Sequence, residues 1–167
     1  IGVFCPQSYS IDASRNLIVE HALEIGYDYI MWIDSDMILP KNTLTTLMSH
    51  DKDVVSGVYA YKLIGAENAV TKRFKDKAKD IYEDIPLKEI TESKRLIEVD
   101  GVGFGCVLTK VDVFRHIKKP WFRYTPNMGE DIYFCRKAQK AGYQVYLDTS
   151  ILCGHVGSVN YNIKEAL

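Results

Sequence analysis

An α/β fold with a mostly parallel central sheet is the architecture that this chain of 167 residues predicts. Three observations carry that reading. Short apolar runs, rich in the branched and aromatic side chains of covered strands, recur along the chain. Amphipathic stretches bounded by capping residues and glycines fall between them. A composition of 47% hydrophobic and 26% charged residues is that of a soluble globular domain with a proper core, so residues 1–167 read as a single domain.

The elements follow in order. Residues 1–5 read as a short strand stopped by Pro6. Ser10 or Asp12 then caps a helix whose apolar positions Leu17, Ile18, Ala22, Leu23 and Ile25 keep helical spacing, with Gly26 as its stop. Residues 29–33 form a buried strand. Pro40 and Asn42 open a helix carrying Leu44, Leu47 and Met48, and residues 53–60 give the next strand. Residues 61–95 are polar and poorly patterned, which points to a substrate-facing or partly disordered loop ahead of a strand at 96–99. Glycines at 101, 103 and 105 alternate through the next strand. They do not form a dinucleotide fingerprint, because the third glycine is misplaced and no helix follows. Their spacing lets a ligand or another backbone approach closely, with a structural bulge as the equal alternative. Thr109 caps a short helix through Val113, Phe114 and Ile117. A helix with the stripe Ile132, Cys135, Ala138 and Ala141 ends at Gly142, and a strand at 143–148 leads into a glycine-containing loop that reaches His155.

The chemistry is concentrated where polarity switches. The strand at 29–33 runs straight into Asp34-Ser35-Asp36, two carboxylates one residue apart at the end of a strand, where open α/β sheets bind ligands. Such a pair repels itself unless a cation or proton neutralises it, and an oxygen donor set suits Mg²⁺ or Mn²⁺ and hence a phosphate-bearing substrate. A helix cap explains one acid but not both. Glu130 and Asp131 open the later helix, where its dipole favours acids, and His155 follows as a candidate ligand. Arg15 and Asn16 sit in the first helix as a cation and a donor for phosphates, with a plain surface role as the alternative. Trp121, Phe122 and Tyr124 offer rings for stacking on a ligand and serve equally well as core.

Composition limits the partners. A net charge of −1 gives no basic excess for nucleic acid, and the cluster Lys72, Arg73, Lys75, Lys77 and Lys79 is closely followed by acids, as in a solvated segment. No run approaches the roughly 18 apolar residues that span a bilayer, and no signal peptide is visible. Cys5, Cys106, Cys135 and Cys153 are widely spaced with no paired motif, so a reducing, cytoplasmic setting is expected. Cys153-Gly154-His155 lacks the second cluster that a zinc site needs.

Taken together, these residues resemble a known family. Asp34-Ser35-Asp36 resembles the DxD motif of GT-A fold glycosyltransferases. Gly129-Glu130-Asp131 resembles the acidic motif that opens a helix in family 2-like members, and His155 resembles their late metal-binding histidine. The resemblance implies a three-layer nucleotide-diphospho-sugar transferase sandwich. It also implies that Asp36 and His155 bind Mn²⁺ or Mg²⁺ on the diphosphate of a UDP- or GDP-sugar, while Asp34 contacts the ribose or shares the metal. Asp131, with Glu130 beside it, becomes the general base for a carbohydrate, lipid or protein hydroxyl in an inverting reaction. Gly101 and Gly103 line the donor sugar. Family members carry a nucleotide-binding strand–helix–strand ahead of the DxD strand. Only 33 residues precede Asp34, so a minimal form or a missing N-terminal segment is expected. A HAD-type phosphohydrolase, with Asp34 as nucleophile and Asp36 as acid/base, is the rival enzyme, although Ile38 stands where those enzymes prefer Thr or Val. A non-catalytic nucleotide- or sugar-binding domain is the third reading.

Overall fold

The structure is a computed structural model and describes residues 1–7, 9–63, 65–93, 95–157 and 160–161. In chain order its elements are α1 (Ile11–Ile25), β1 (Tyr29–Ile33), β2 (Met37–Ile38), α2 (Thr43–Ser49), β3 (Val54–Val58), β4 (Asn68–Asp76), β5 (Ile81–Pro86) and α3 (Leu87–Thr91). They continue with β6 (Leu96–Val99), β7 (Gly101–Val102), β8 (Cys106–Lys110), α4 (Asp112–His116), α5 (Glu130–Lys140), β9 (Val145–Leu152), β10 (Gly154–Val156) and β11 (Asn160–Tyr161).

A five-stranded sheet of order β1-β8-β3-β9-β6 forms the centre. The α/β class holds, but the mostly parallel sheet does not: only β3 and β9 pair in parallel, and the β1–β8, β8–β3 and β9–β6 ladders are antiparallel. The reason lies in the connections. β8 enters the sheet from the glycine segment at the end where β1 and β3 finish, so it must run back against both. A buried apolar run looks the same in either direction, which is why the pattern could not tell them apart.

Each face of this sheet buries an apolar cluster. Alternate residues of β8 divide between them, Val107 joining the larger cluster, and Cys106 and Leu108 the smaller. The larger cluster takes Val19 and Ala22 from α1, Phe114 from α4, and Phe134 and Ala138 from α5, around Trp32, Phe104 and Phe122. These rings meet mostly edge-to-face, as Trp32–Phe122 does at 5.2 Å, so Trp121 and Phe122 are core residues. The smaller cluster takes Leu47 from α2.

Several local expectations change. Residues 1–5 form no strand; Ile1 and Val3 are fully exposed and no ladder partner lies beside them among the described residues. Thr109 caps nothing: it lies inside β8, where its hydroxyl accepts a 2.9 Å bond from the Trp32 indole. The segment 61–95 is largely ordered into β4, β5 and α3. Ala69 and Ile85 join its base to the larger apolar cluster, while toward the tip its two strands are held by cross-strand pairs. Arg73 stands opposite Glu83 at 2.7 Å, Lys72 pairs with Asp84, and the Phe74 and Tyr82 rings lie 4.5 Å apart. Asp76 closes the turn by accepting from the Ala78 and Lys79 amides. Charged side chains facing one another across a ribbon leave no period-2 hydrophobic signal, so the hairpin was hidden in the composition.

Candidate functional site

Three strands deliver the site at one end of the sheet. β1 and β3 both oppose β8 and therefore end on the same side, and β9 runs parallel to β3. Asp34 leaves β1 with its amide on the Gly105 carbonyl at 3.3 Å, and the Met37 amide on its own carbonyl turns the chain at 3.1 Å. That turn feeds β2, which pairs with β10 so that Met37 faces His155, and the Val156 amide binds the Asp36 carbonyl at 2.7 Å. Residues more than a hundred positions apart are thereby placed side by side.

The arrangement of Asp36 and His155 has a specific polarity. His155 Nδ1 lies 2.9 Å from the Ala60 carbonyl oxygen, which can only accept, so Nδ1 carries a proton and Nε2 is the ring nitrogen left to face the site. That Nε2 faces Asp36 Oδ1 at 3.6 Å, and Oδ1 is buried without a hydrogen-bond partner. A buried carboxylate oxygen without a hydrogen-bond partner and an imidazole nitrogen turned toward one another across this gap fit a cation. The backbone bond on the far side of the imidazole is the support that histidine ligands receive. Among the described residues no cluster of three or more His, Cys, Asp or Glu surrounds this point. A two-residue donor set suits a hard ion that takes its remaining ligands from substrate phosphates and water. Lys62 also pairs with Asp36 through Oδ2, and hydrogen bonding and charge from Lys62 outweigh burial to hold the Asp36 carboxyl below its ordinary range. Cys153, two residues before His155, is fully buried, its thiol pushed up by the neighbouring Cys106 and by burial.

The second acid pair sits across a buried arginine. Arg15, 6% exposed, donates through Nη1 to Glu130 and through Nη2 to Asp34 Oδ1 at 3.2 Å, with its guanidinium 5.2 Å from the centre of the Phe104 ring. The cation suggested for phosphates is therefore committed to two carboxylates, one from each motif. Asn16 serves the backbone, with its amide nitrogen donating to the Asp12 and Phe122 carbonyls and its oxygen accepting from the Trp121 amide. Asp131, the second residue of α5, accepts from the Ile132 amide through Oδ1 at 2.7 Å. Burial, then the charge of Glu130, push its carboxyl above the ordinary range. Gly129 is what admits that carboxylate, since a Cβ there would lie 2.8 Å from Asp131 Oδ1. Tyr124, half-exposed, rests against Glu130, and its hydroxyl is pushed up to about 12 by burial and by that carboxylate.

Two groups escaped the sequence reading. Tyr59 follows β3 into the middle of the site: its hydroxyl accepts from the Gly105 amide at 3.0 Å, and its ring meets His155 edge-on at 5.3 Å. Lys62, three residues on, looks in sequence like any solvated lysine. The space left by the glycines belongs largely to Tyr59 and its neighbours. A Cβ on Gly103 would overlap the Tyr59 hydroxyl and stand 2.6 Å from a Val70 methyl, and one on Gly101 would lie 2.8 Å from Ile132. Gly103→Ala is accordingly expected to destabilise the protein by about 1–3 kcal/mol, as overpacking does, and thermal unfolding measures it.

Comparisons place this geometry among known proteins. A family model described as Anp1 matches residues 8–77, a span holding Arg15, Asp34, Asp36, Tyr59 and Lys62 but ending before Glu130, Asp131 and His155. No curated protein matches the sequence. The structure of A197 from STIV superposes with a TM-score of 0.65 over 93% of this chain and 72% of that one, at 23% identity. GalNAc-T7, solved with UDP, GalNAc and Mn²⁺, superposes with a TM-score of 0.61 over 89% of this chain and 30% of that one, at 13% identity. The chain shares its fold with both structures. In that fold Asp34 and Asp36 leave the end of β1, and β10 brings His155 beside them. No described helix is long and apolar enough to cross a membrane.

Proposed function

We propose that this chain is a metal-dependent glycosyltransferase that moves a sugar from a UDP- or GDP-sugar to a hydroxyl of a carbohydrate, lipid or protein, with inversion at the anomeric carbon. The observation that carries the proposal is the unpartnered Asp36 Oδ1 turned toward His155 Nε2 in one domain with a base-like Asp131. The Anp1 match and the fold shared with GalNAc-T7 support it.

Asp36 and His155 would hold the ion, Mn²⁺ or Mg²⁺, with Asp34 sharing the metal or meeting the ribose. When bound, such an ion supplies Lewis-acid stabilisation of the charge left on the departing diphosphate. Asp131 accepts the proton of the acceptor hydroxyl as its oxygen bonds to the anomeric carbon. The bond from that carbon to the donor phosphate breaks, and the electron pair leaves with the diphosphate. Tyr59 and the Ala60 carbonyl keep His155 in one orientation. Arg15 holds Glu130 and Asp34 at a fixed separation, so that Asp131 stands on a rigid helix start. The net charge of −1 speaks against a nucleic-acid acceptor, and four free cysteines support a cytoplasmic setting.

Calorimetric titration with a panel of UDP- and GDP-sugars, with and without Mn²⁺, tests this reading. Binding that requires the metal, and that falls at least tenfold in Asp36→Ala, is expected, with released nucleoside diphosphate marking turnover. Folded protein that binds no nucleotide sugar overturns the proposal. Binding without turnover leaves a non-catalytic domain.

A further inference from the structure

We propose that Lys62 is a resident counter-cation of the Asp36–His155 cradle, one that yields Asp36 to the metal and passes its charge to the donor diphosphate. This rests on reading the cradle as a metal site. Asp36 is divided between two tasks: Oδ2 is held by the Lys62 ammonium, and Oδ1 faces His155 with no partner. The site is thus half-filled by a side-chain cation before any ion arrives.

The segment that carries Lys62 is built into the same cradle. Two residues earlier, the Ala60 carbonyl fixes the His155 tautomer. One residue earlier, the Tyr61 hydroxyl donates to Asp84 at 2.8 Å and accepts from Lys72 at 2.9 Å, which ties the segment to the β4–β5 ribbon. One short stretch therefore orients both ligand residues. The Lys62 side chain is 37% exposed on a flexible stem, so its head can leave Asp36 without unfolding anything.

Charge balance sets the order of events. With the Asp34 carboxylate paired to Arg15, Asp36 is left to balance both a divalent ion and an ammonium, so an ion bound alone must work against Lys62. A diphosphate brings the anionic charge that both cations lack, and an ammonium binds phosphate well as a point charge. Metal and donor then strengthen each other's binding, and by linkage the coupling is reciprocal. Lys62 is in this account a positioning residue in the free protein and a phosphate contact in the donor complex. A surface ion pair of no consequence is the competing account, because exposed pairs commonly contribute little.

Free Mn²⁺ measured by electron paramagnetic resonance, with and without UDP, separates the two. In Lys62→Met, Mn²⁺ alone is expected to bind on the order of tenfold more tightly than in wild type, because a neighbouring positive charge is gone. The strengthening of Mn²⁺ binding by UDP is expected to shrink by a similar factor. Lys62→Arg, which keeps the charge, is expected to stay near wild type in the absence of nucleotide. Unchanged or weaker Mn²⁺ binding by Lys62→Met overturns the role of Lys62 while leaving the cradle intact. No Mn²⁺ binding by wild type or Lys62→Met overturns the cradle and the role of Lys62 with it.

Discussion

Asp131→Asn is expected to lower the rate of sugar transfer by about 10²–10⁴-fold, the usual worth of a positioned general base, while leaving donor and metal affinity in place. The substitution preserves shape, and its amide oxygen can still accept from the Ile132 amide that now caps the carboxylate. It removes the ability to take a proton. The loss should therefore appear in kcat at saturating donor, and calorimetry with UDP and Mn²⁺ should show unchanged binding. The pH profile supplies a second test. Burial, followed by the charge of Glu130, raises the Asp131 carboxyl above its ordinary range. A base acts only when ionised, so a raised value moves the acid-side fall of kcat/KM to higher pH than an unperturbed carboxylate would give. The residual activity of Asp131→Asn should lack that limb. An acid limb that survives the substitution would assign the base elsewhere.

What the sequence disclosed, and what it hid, follows a physical division. Asp34, Asp36, Glu130, Asp131 and His155 were legible because each sits at a change of pattern, where a buried strand or a helix start meets polar residues. Such boundaries are written locally. Arg15 sits in the expected neighbourhood with a different partner, since nothing in the first helix reveals that its guanidinium meets Glu130, 115 positions away. Tyr59 reads as the last apolar residue of a strand, and Lys62 as part of a polar segment; only the pairing of β2 with β10 and the path after β3 bring them to the cradle. The α/β class was legible from alternation, whereas strand direction was not, because a covered strand carries no mark of its neighbours' polarity. The β4–β5 ribbon was missed for a related reason: charge pairs across strands stabilise it, and a charge pair is visible only once the partner strand is in place.

The same long-range pairing makes Arg15 the position where one substitution should cost the fold most. Arg15 and Glu130 are both almost fully buried and bonded to one another, and Arg15 also lies over Phe104 and Phe122 inside the larger apolar cluster. Arg15→Met keeps much of the packing volume but leaves Glu130 as a buried, uncompensated carboxylate. Breaking one side of such a pair is expected to cost about 3–5 kcal/mol. In a chain of this length that lowers Tm by roughly 6–20 °C. Most of that cost is the stranded charge rather than the lost contact, which the double variant can show. Adding Glu130→Gln to Arg15→Met removes the charge and should recover the larger part of the stability in urea unfolding. Asp34 contributes little to this balance, since its side chain is 46% exposed and water can replace the guanidinium. Stability and function should then separate. The double variant is expected to fold and bind Mn²⁺ through Asp36 and His155, yet transfer sugar slowly, because the brace joining the two acidic motifs is gone. A double variant as unstable as Arg15→Met alone would place the energy in the packing of the arginine against Phe104 and Phe122, and would remove the ion pair as the element that holds the two halves of the site in register.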